Sequence, residues 1–214
     1  MGKDGKVIRL DCRSLAYKRV PFNPKGYKIV LIDTMVKHSL ASSEYNVRRE
    51  QCETGVAVIR KDYPEVELLR DVTPAMLAQY KDKLDPMVYK RCSFVVEESP
   101  RLLAGCKDLA ANDIPAFGAK MFETHEGLSQ KYGVSCEELD FIVSVARGCK
   151  GVVGARMMGG GFGGCVIAIV KSGDAKDYIA AVKEQYQKKF GIDPRVINVA
   201  ISDGAKRWNV SKLK

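Results

Sequence analysis

The sequence predicts an α+β fold, an antiparallel sheet of the ferredoxin-like, split βαβ type with additional packed helices. The main observation is the order of elements in the last third of the chain, helix, strand, strand, helix, strand, which is the order within such a unit. The second is size: 214 residues, 46% of them hydrophobic, are enough for one domain with a substantial core. We therefore expect one domain over residues 1–214, with helices on one face of the sheet.

The first part of the chain is predicted to be rich in strands. Apolar and polar residues alternate from Val7, and a second short strand is expected from Tyr17 to Pro21. The apolar run from Tyr27 to Ile32 is typical of a buried strand. These features indicate a strand pair followed by a third strand.

The middle of the chain is predicted to be helical. Between Ser43 and about Arg60 an amphipathic helix is expected, because apolar residues recur there at helical spacing: Tyr45, Cys52, Val56 and Ile59. Two more helices are expected to begin at Thr73-Pro74 and Asp85-Pro86, where a capping side chain precedes a proline at the first helical position.

The last third supplies the elements of the split βαβ unit. Ser135 and Glu138 have the spacing of a capping box, so a helix is expected to begin there and to run to about Cys149. Strands are expected over residues 152–157, 165–170 and 195–201. A helix over residues 174–190 is expected to end at Gly191, which is a favourable C-cap.

The loop between the first two of these late strands is the most informative segment. It contains five glycines in six positions: Gly159, Gly160, Gly161, Phe162, Gly163 and Gly164. Glycines in such numbers allow backbone N–H groups to face an anion, or another backbone to approach closely. An ordinary hairpin connection is the alternative. A dinucleotide fingerprint or a Walker loop is disfavoured, because a strand follows and Cys165-Val166 stand where Lys and Ser or Thr would be required.

Composition disfavours several other classes of function. No apolar stretch approaches the roughly 18 residues of a membrane helix, and the start lacks the apolar core of a signal peptide, so a cytoplasmic protein without a membrane partner is expected. Seven scattered cysteines and two distant histidines, His38 and His125, predict no disulfide framework and no metal site. The net charge of +9 is spread along the chain, and no nucleic-acid partner is expected.

Several segments, in order along the chain, resemble one family. The run from Gly154 to Cys165 resembles the third signature motif of the GHMP kinases, in the form that galactokinases carry, and the run from Val36 to Glu53 resembles the galactokinase segment that enters a large middle helix. Shorter matches extend the resemblance from about Lys6 to Ala205: Asp11-Cys12-Arg13-Ser14-Leu15, Leu69-Arg70-Asp71-Val72-Thr73, Leu84-Asp85-Pro86, Lys90-Arg91, Glu123-Thr124-His125 and Asp203-Gly204-Ala205.

The resemblance implies a GHMP kinase C-terminal domain and a set of candidate roles. Galactokinases phosphorylate galactose to galactose 1-phosphate with ATP and Mg²⁺, so galactose and ATP are the implied partners. Tyr45 is implied to contact the sugar, and residues 159–164 to lie next to the nucleotide phosphates. Lys37 is a further candidate on the phosphate side, although galactokinases commonly have an arginine there, which binds two oxygens at once.

Two further departures from the family pattern are expected to matter differently. Met158 replaces a usual threonine, so that a hydroxyl near the implied site becomes a thioether, which puts normal turnover in question. Gln130-Lys131 replace acidic residues, and a surface change explains this substitution.

The sequence lacks the segments that in galactokinases precede this region: the galactose signature, the phosphate loop and the catalytic aspartate. We therefore expect no catalytic residue in this chain, metal ligands only in an N-terminal half, and very low activity without that half. The first ~35 residues are expected to belong to, or bridge to, that N-terminal domain. Two alternatives stay open: a catalytically inactive regulatory or interaction module, and a related GHMP sugar kinase such as an N-acetylgalactosamine kinase.

Overall fold

Six strands and six α-helices follow one another in the computed structural model, which describes residues 2–37 and 41–205 but not the side chains of residues 37 and 41–43. The strands are β1 (Lys6–Leu10), β2 (Tyr17–Pro21), β3 (Tyr27–Lys37), β4 (Val152–Met157), β5 (Gly163–Lys171) and β6 (Arg195–Asn198). The helices are α1 (Ala41–Ile59), α2 (Pro74–Ala78), α3 (Pro86–Ala110), α4 (Ile114–Glu126), α5 (Glu137–Gly148) and α6 (Ala175–Phe190). A 3₁₀ turn (Leu69–Asp71) precedes α2, and a π-helix (Gly127–Tyr132) follows α4.

The main sheet has the strand order β4-β5-β3-β6, and each neighbouring pair is antiparallel. Along the chain, β3, the helices up to α5, β4, β5, α6 and β6 give the order β-α-β-β-α-β of the ferredoxin-like arrangement. The predicted α+β class is thereby confirmed. The late strands alone do not form the sheet, because β3 lies between β5 and β6 and supplies the first strand of the unit.

Helices cover both faces of the sheet, so the prediction of helices on one face is wrong. Alternate residues of the strands, among them Val30 and Ala168, pack with α5 and α6 in one core. On the opposite face, Ile169 packs against Phe117 and Met121 of α4. The physical reason lies in β5, whose nearly continuous apolar run can be buried on both sides only between two helical layers.

Helix α4, which the sequence analysis did not predict, lies directly on the sheet. A Cβ atom at Gly118 would overlap the backbone of Val153, and one at Gly154 would overlap the backbone of Gly118. The two glycines therefore allow helix and strand to touch backbone to backbone. The N-terminal signal of α4 was present in the sequence, since Asp113 caps the helix by accepting from the Ala116 N–H and proline follows at the first turn.

The predicted helix caps have mixed outcomes. Thr73 accepts from the Met76 N–H at 3.2 Å and Asp85 accepts from the Met87 N–H at 2.8 Å, which confirms both starts. The capping box of Ser135 and Glu138 is wrong, because the N-cap of α5 is Cys136, without a side-chain bond.

A second core lies among the helices away from the sheet. It joins α1, α2 and α3 through buried residues such as Ile59, Leu77 and Cys92. Strands β1 and β2 form a separate two-stranded sheet. Two ion pairs connect the turn region of this sheet to the 3₁₀ turn, Asp11 with Arg70 and Arg13 with Asp71. The assignment of the first ~35 residues to another domain stays a prediction.

Candidate functional site

The glycine segment joins β4 to β5 and is shorter as a loop than the sequence predicts. Gly163 and Gly164 already belong to β5. Gly163 pairs with the backbone of Lys37 at the end of β3, and the Gly164 carbonyl accepts from the Thr34 hydroxyl at 2.9 Å. The turn proper therefore ends at Phe162.

The turn has an open side. A Cβ atom at Gly159 or Gly160 would meet no other atom within 4 Å, and the same holds for Gly164 at the start of β5. Gly159 has a φ of 83°, which an L-residue with a side chain rarely adopts. This side of the turn can be approached to backbone contact.

The other side of the turn rests on residues 132–134, at the C-terminal end of the π-helix. The Phe162 N–H donates to the Val134 carbonyl at 2.8 Å. A Cβ atom at Gly161 would overlap that same carbonyl, and Gly161 has a φ of 91°. Glycine is thus required at Gly161 both for its conformation and for the close contact.

Tyr45 lies in the first turns of α1 and is half exposed, at 49%. Its helix is connected to the glycine segment through residues 132–134. Burial raises the pKa of Tyr132 to about 12, with further contributions from the neighbouring Cys52 and Tyr45. Arg48, one turn after Tyr45, donates to the carbonyls of Tyr132 and Gly133. The helix that carries the candidate sugar residue therefore contacts Tyr132 and Gly133 through Arg48, and the candidate phosphate segment contacts the next residue, Val134.

The end of β3 is irregular where it meets the glycine segment. Its pairing with β5 shifts register between Asp33 and Lys37. Within this bulge Met35 has a φ of 59° and is 52% exposed, while its N–H donates to the Asp33 carboxylate at 3.0 Å. The bulge brings the Lys37 backbone to the glycine segment, but the Lys37 side chain lies outside the described residues, as does His38.

A buried histidine supports the strand that leads into the turn, a role that was not predicted from the sequence. His125 is 5% exposed, and its Nδ1 accepts from the Met157 N–H at 3.2 Å. Its Nε2 lies 3.1 Å from the Asp140 carboxylate, which also accepts from the hydroxyls of Ser129 at 2.7 Å and Ser135 at 2.5 Å. This carboxylate explains why Ser135 does not cap α5. In the sequence, His125 belongs to a segment that resembles the family, but nothing there indicates which residues the imidazole contacts.

The open side of the turn leaves room for a ligand at the backbone of the glycine segment. The open backbone at Gly159 and Gly160 suits close contact with a phosphate-bearing ligand. Within residues 2–37 and 41–205, no cluster of three or more His, Cys, Asp or Glu side chains could hold a metal ion. The same residues contain no helix with the length and apolar character needed to span a membrane.

Comparison with known proteins gives matches over nearly the whole chain. The family described as GHMP kinases C terminal matches residues 106–188. The galactokinase of Clostridium acetobutylicum is 40% identical over 210 residues, which cover 98% of this chain and 54% of that protein. The galactokinase of Thermotoga maritima is 41% identical over 206 residues, which cover 96% and 56%. The chain thus spans about half the length of the curated relatives it matches.

Solved structures give a consistent result. The crystal structure of Lactococcus lactis galactokinase complexed with galactose matches with a TM-score of 0.90 and 29% identity, over 97% of this chain and 53% of that chain. The structure of L. major mevalonate kinase in complex with R-mevalonate matches with a TM-score of 0.54 at 19% identity, over 94% of this chain and 50% of that one. This second match concerns the fold alone.

Proposed function

We propose that the chain forms one half of a galactokinase, because residues 106–188 match the family described as GHMP kinases C terminal and two galactokinases are 40% and 41% identical to the chain. The complete enzyme would transfer the γ-phosphoryl group of ATP to galactose and release galactose 1-phosphate in the cytoplasm. The main support is the match to the Lactococcus lactis galactokinase at a TM-score of 0.90, together with the contacts that join α1, the helix of Tyr45, to the glycine segment through residues 132–134.

Tyr45 is proposed to contact galactose. Its half-exposed position leaves the ring accessible, and a phenol can stack on the apolar face of a sugar while its hydroxyl donates to or accepts from a sugar hydroxyl. Its location at the start of a helix whose later residues are packed in a core gives the ring a fixed position.

Residues 159–164 are proposed to lie next to the phosphates of ATP. Phosphoryl transfer depends mainly on positioning and on stabilisation of negative charge, and ATP with its Mg²⁺ supplies the phosphoryl group and neutralises part of that charge. The open backbone at Gly159 and Gly160 allows close approach, and the support from Val134 keeps the turn in place. Lys37 is a further candidate here, because its backbone pairs with Gly163.

The chain alone is expected to be nearly inactive, since its sequence lacks the catalytic aspartate, phosphate loop and metal ligands implied by the resemblance. The proposed partner is therefore a galactokinase N-terminal half. Coexpression of the chain with the N-terminal half of the Clostridium acetobutylicum galactokinase is expected to give a complex that forms galactose 1-phosphate from ATP and galactose. A stable complex without this activity would contradict the proposal.

In the active complex, Tyr45→Phe is expected to raise the KM for galactose about tenfold, because one hydrogen bond to the sugar is lost. Tyr17→Phe is the matched control, since Tyr17 is exposed to a similar degree, 43%, but lies on the separate β1–β2 sheet. Equal KM values in the two variants would remove Tyr45 from the sugar site.

A galactokinase-like regulatory or interaction module is the second candidate. Met158 favours it, because this residue is 38% exposed at the turn where galactokinases usually have a threonine. A pull-down from the source cells distinguishes the two: recovery of a kinase N-terminal half supports the enzyme, and recovery of a transcription factor supports the regulator.

A further inference from the structure

We infer that Arg48 is a positioning residue, which holds residues 132–134 against α1 and through them fixes the turn at Gly161 and Phe162. The functional meaning of this role rests on the proposed function, because it connects the helix of the proposed sugar residue to the proposed phosphate segment. The positioning itself depends only on contacts within the chain and can be tested without substrate.

The guanidinium of Arg48 binds two successive carbonyls. Its Nε donates to the Tyr132 carbonyl at 3.1 Å and to the Gly133 carbonyl at 3.2 Å, and its Nη2 donates to the Gly133 carbonyl at 3.0 Å. These carbonyls lie at the C-terminal end of the π-helix, where carbonyl groups lack partners within the helix and the helix dipole is negative. The planar guanidinium of Arg48 donates hydrogen bonds to these carbonyls, and its positive charge interacts favourably with the negative end of the helix dipole.

The side chain of Arg48 is itself held in place. It is 12% exposed, and its Nη2 lies 3.0 Å from the Glu44 carboxylate one turn earlier in α1. Arg91 of α3 reinforces the same helix end, because its Nη1 donates to the Lys131 carbonyl. Two arginines from different helices thus fix the point at which the chain leaves the π-helix.

The end of the π-helix fixes the glycine turn through direct contacts of Val134. Gly133 adopts the left-handed conformation with a φ of 69°, and the next residue, Val134, accepts from the Phe162 N–H at 2.8 Å. Because a Cβ at Gly161 would already overlap the Val134 carbonyl, the turn has no free space on this side. A displacement of Gly133 therefore displaces the turn or breaks the bond from Phe162.

The neighbouring residue Arg49 provides a matched control. It has the same side chain on the same helix, but it is 72% exposed and its Nε pairs with the Glu53 carboxylate at 2.8 Å, one turn further on. A lysine at either position keeps the charge and loses the fork. Arg48→Lys therefore removes a guanidinium that binds backbone carbonyls, whereas Arg49→Lys removes one that pairs with a side-chain carboxylate.

The test compares Arg48→Lys with Arg49→Lys by amide hydrogen exchange, measured by NMR on the 214-residue chain. In Arg48→Lys the exchange of the Phe162 amide is expected to become about tenfold faster, because a bond between a charged donor and partly buried carbonyls is lost. The Lys171 amide is the internal reference, since it donates to the Gly151 carbonyl at 2.9 Å at the opposite end of the same strand pair. In Arg49→Lys both amides are expected to exchange as in the unsubstituted chain.

Two results would overturn the inference. One is an unchanged rate for Phe162 in Arg48→Lys. The other is an equal acceleration of Phe162 and Lys171, which would indicate a general loss of stability instead of a local release of the turn.

The reconstituted kinase supplies the functional part of the test. There Arg48→Lys is expected to lower kcat/KM about tenfold while Arg49→Lys leaves it unchanged, as expected for a residue that positions others. A fast Phe162 amide combined with an unchanged kcat/KM would confine the role of Arg48 to the fold and overturn its link to the reaction. If the unsubstituted complex is inactive, the proposed function fails, and the exchange rates alone decide whether Arg48 positions the turn.

Discussion

The two ends of the β3–β5 pair are built differently. At one end the ladder runs without a break from Tyr27 opposite Lys171 to Asp33 opposite Cys165. At the other end it shifts register and resumes only where Lys37 meets Gly163. There, side chains replace part of the ladder, as when the Thr34 hydroxyl donates to the Gly164 carbonyl at 2.9 Å.

Unusual backbone conformations also gather at the irregular end. Met35 and Phe162 both have positive φ values, 59° and 58°, although neither is a glycine. Such conformations persist only where the surroundings impose them, and they are often found at functional sites. Residues of the regular end with ordinary backbone conformations and free space should therefore tolerate substitution, whereas the irregular end should depend on single residues that hold the backbone.

The largest difference between the ends is expected for alanine in place of glycine. Gly161→Ala combines an unfavourable φ of 91° with an overlap between the new Cβ and the Val134 carbonyl. We expect a loss of about 2–4 kcal/mol in the free energy of unfolding, measured by urea denaturation. At the regular end, Gly173→Ala places a Cβ where no atom lies within 4 Å, and a change below about 0.5 kcal/mol is expected.

If both alanine variants lose the same stability, the contrast between the two ends is wrong. A loss confined to Gly161→Ala supports it. Retained stability in Gly161→Ala would mean that the turn can move away from Val134 without cost, which would also weaken the role inferred for Arg48.

The second expected effect concerns the buried histidine at the irregular end. His125→Leu removes the acceptor of the Met157 N–H and a partner of Asp140, so a loss of about 2–3 kcal/mol in the free energy of unfolding is expected. His125→Gln keeps an acceptor and a donor on one side chain and should retain part of this stability. Equal urea midpoints for the two variants would show that the volume of the ring matters and its hydrogen bonds do not.

The regular parts of the fold were predictable because their signals are local. Periodicity and capping residues predicted α1, α2, α3, α6 and the strands β4 and β5, and the αL glycine at Gly191 ends α6 as expected. Which strands pair with one another depends on residues that are distant in the sequence. The position of β3 at the centre of the sheet follows from its contacts with β5 and β6, which nothing near residues 27–37 encodes.

The candidate site was predictable only in part, for the same reason. The glycines of residues 159–164 and Tyr45 stand out in the sequence through their composition and their family resemblance. Arg48 and Arg49 are indistinguishable there, and only the fold shows that Arg48 meets two carbonyls 84 and 85 residues away. His125 and Ser135 were misjudged or missed because their common partner, Asp140, lies on another helix.

A smaller effect is expected from pH, through Asp140. Burial raises the pKa of this carboxyl, but hydrogen bonds from His125, Ser135 and Ser129 outweigh burial and hold the pKa below its usual value. Asp140 therefore stabilises the fold fully above the unfolded-state pKa of about 3.9, and this contribution is lost as the pH falls through the lower folded-state value. Asp140→Asn should accordingly lower Tm at pH 6 and make Tm less dependent on pH below about pH 4. Parallel Tm curves for the two proteins would contradict this.

The smallest effect on stability is expected for a substitution at Met158. This position also allows the irregular and the regular end to be compared by the effect of a substitution on kcat. This residue is 38% exposed, so Met158→Thr should change the free energy of unfolding by less than about 0.5 kcal/mol. In the reconstituted kinase, however, the threonine restores a hydroxyl beside the proposed phosphate segment, and kcat is expected to rise. Lys171→Thr, an exposed substitution at the opposite end of β5, should leave kcat unchanged. If both substitutions leave kcat unchanged, the irregular end stabilises the fold, but the side chain at Met158 has no part in the reaction.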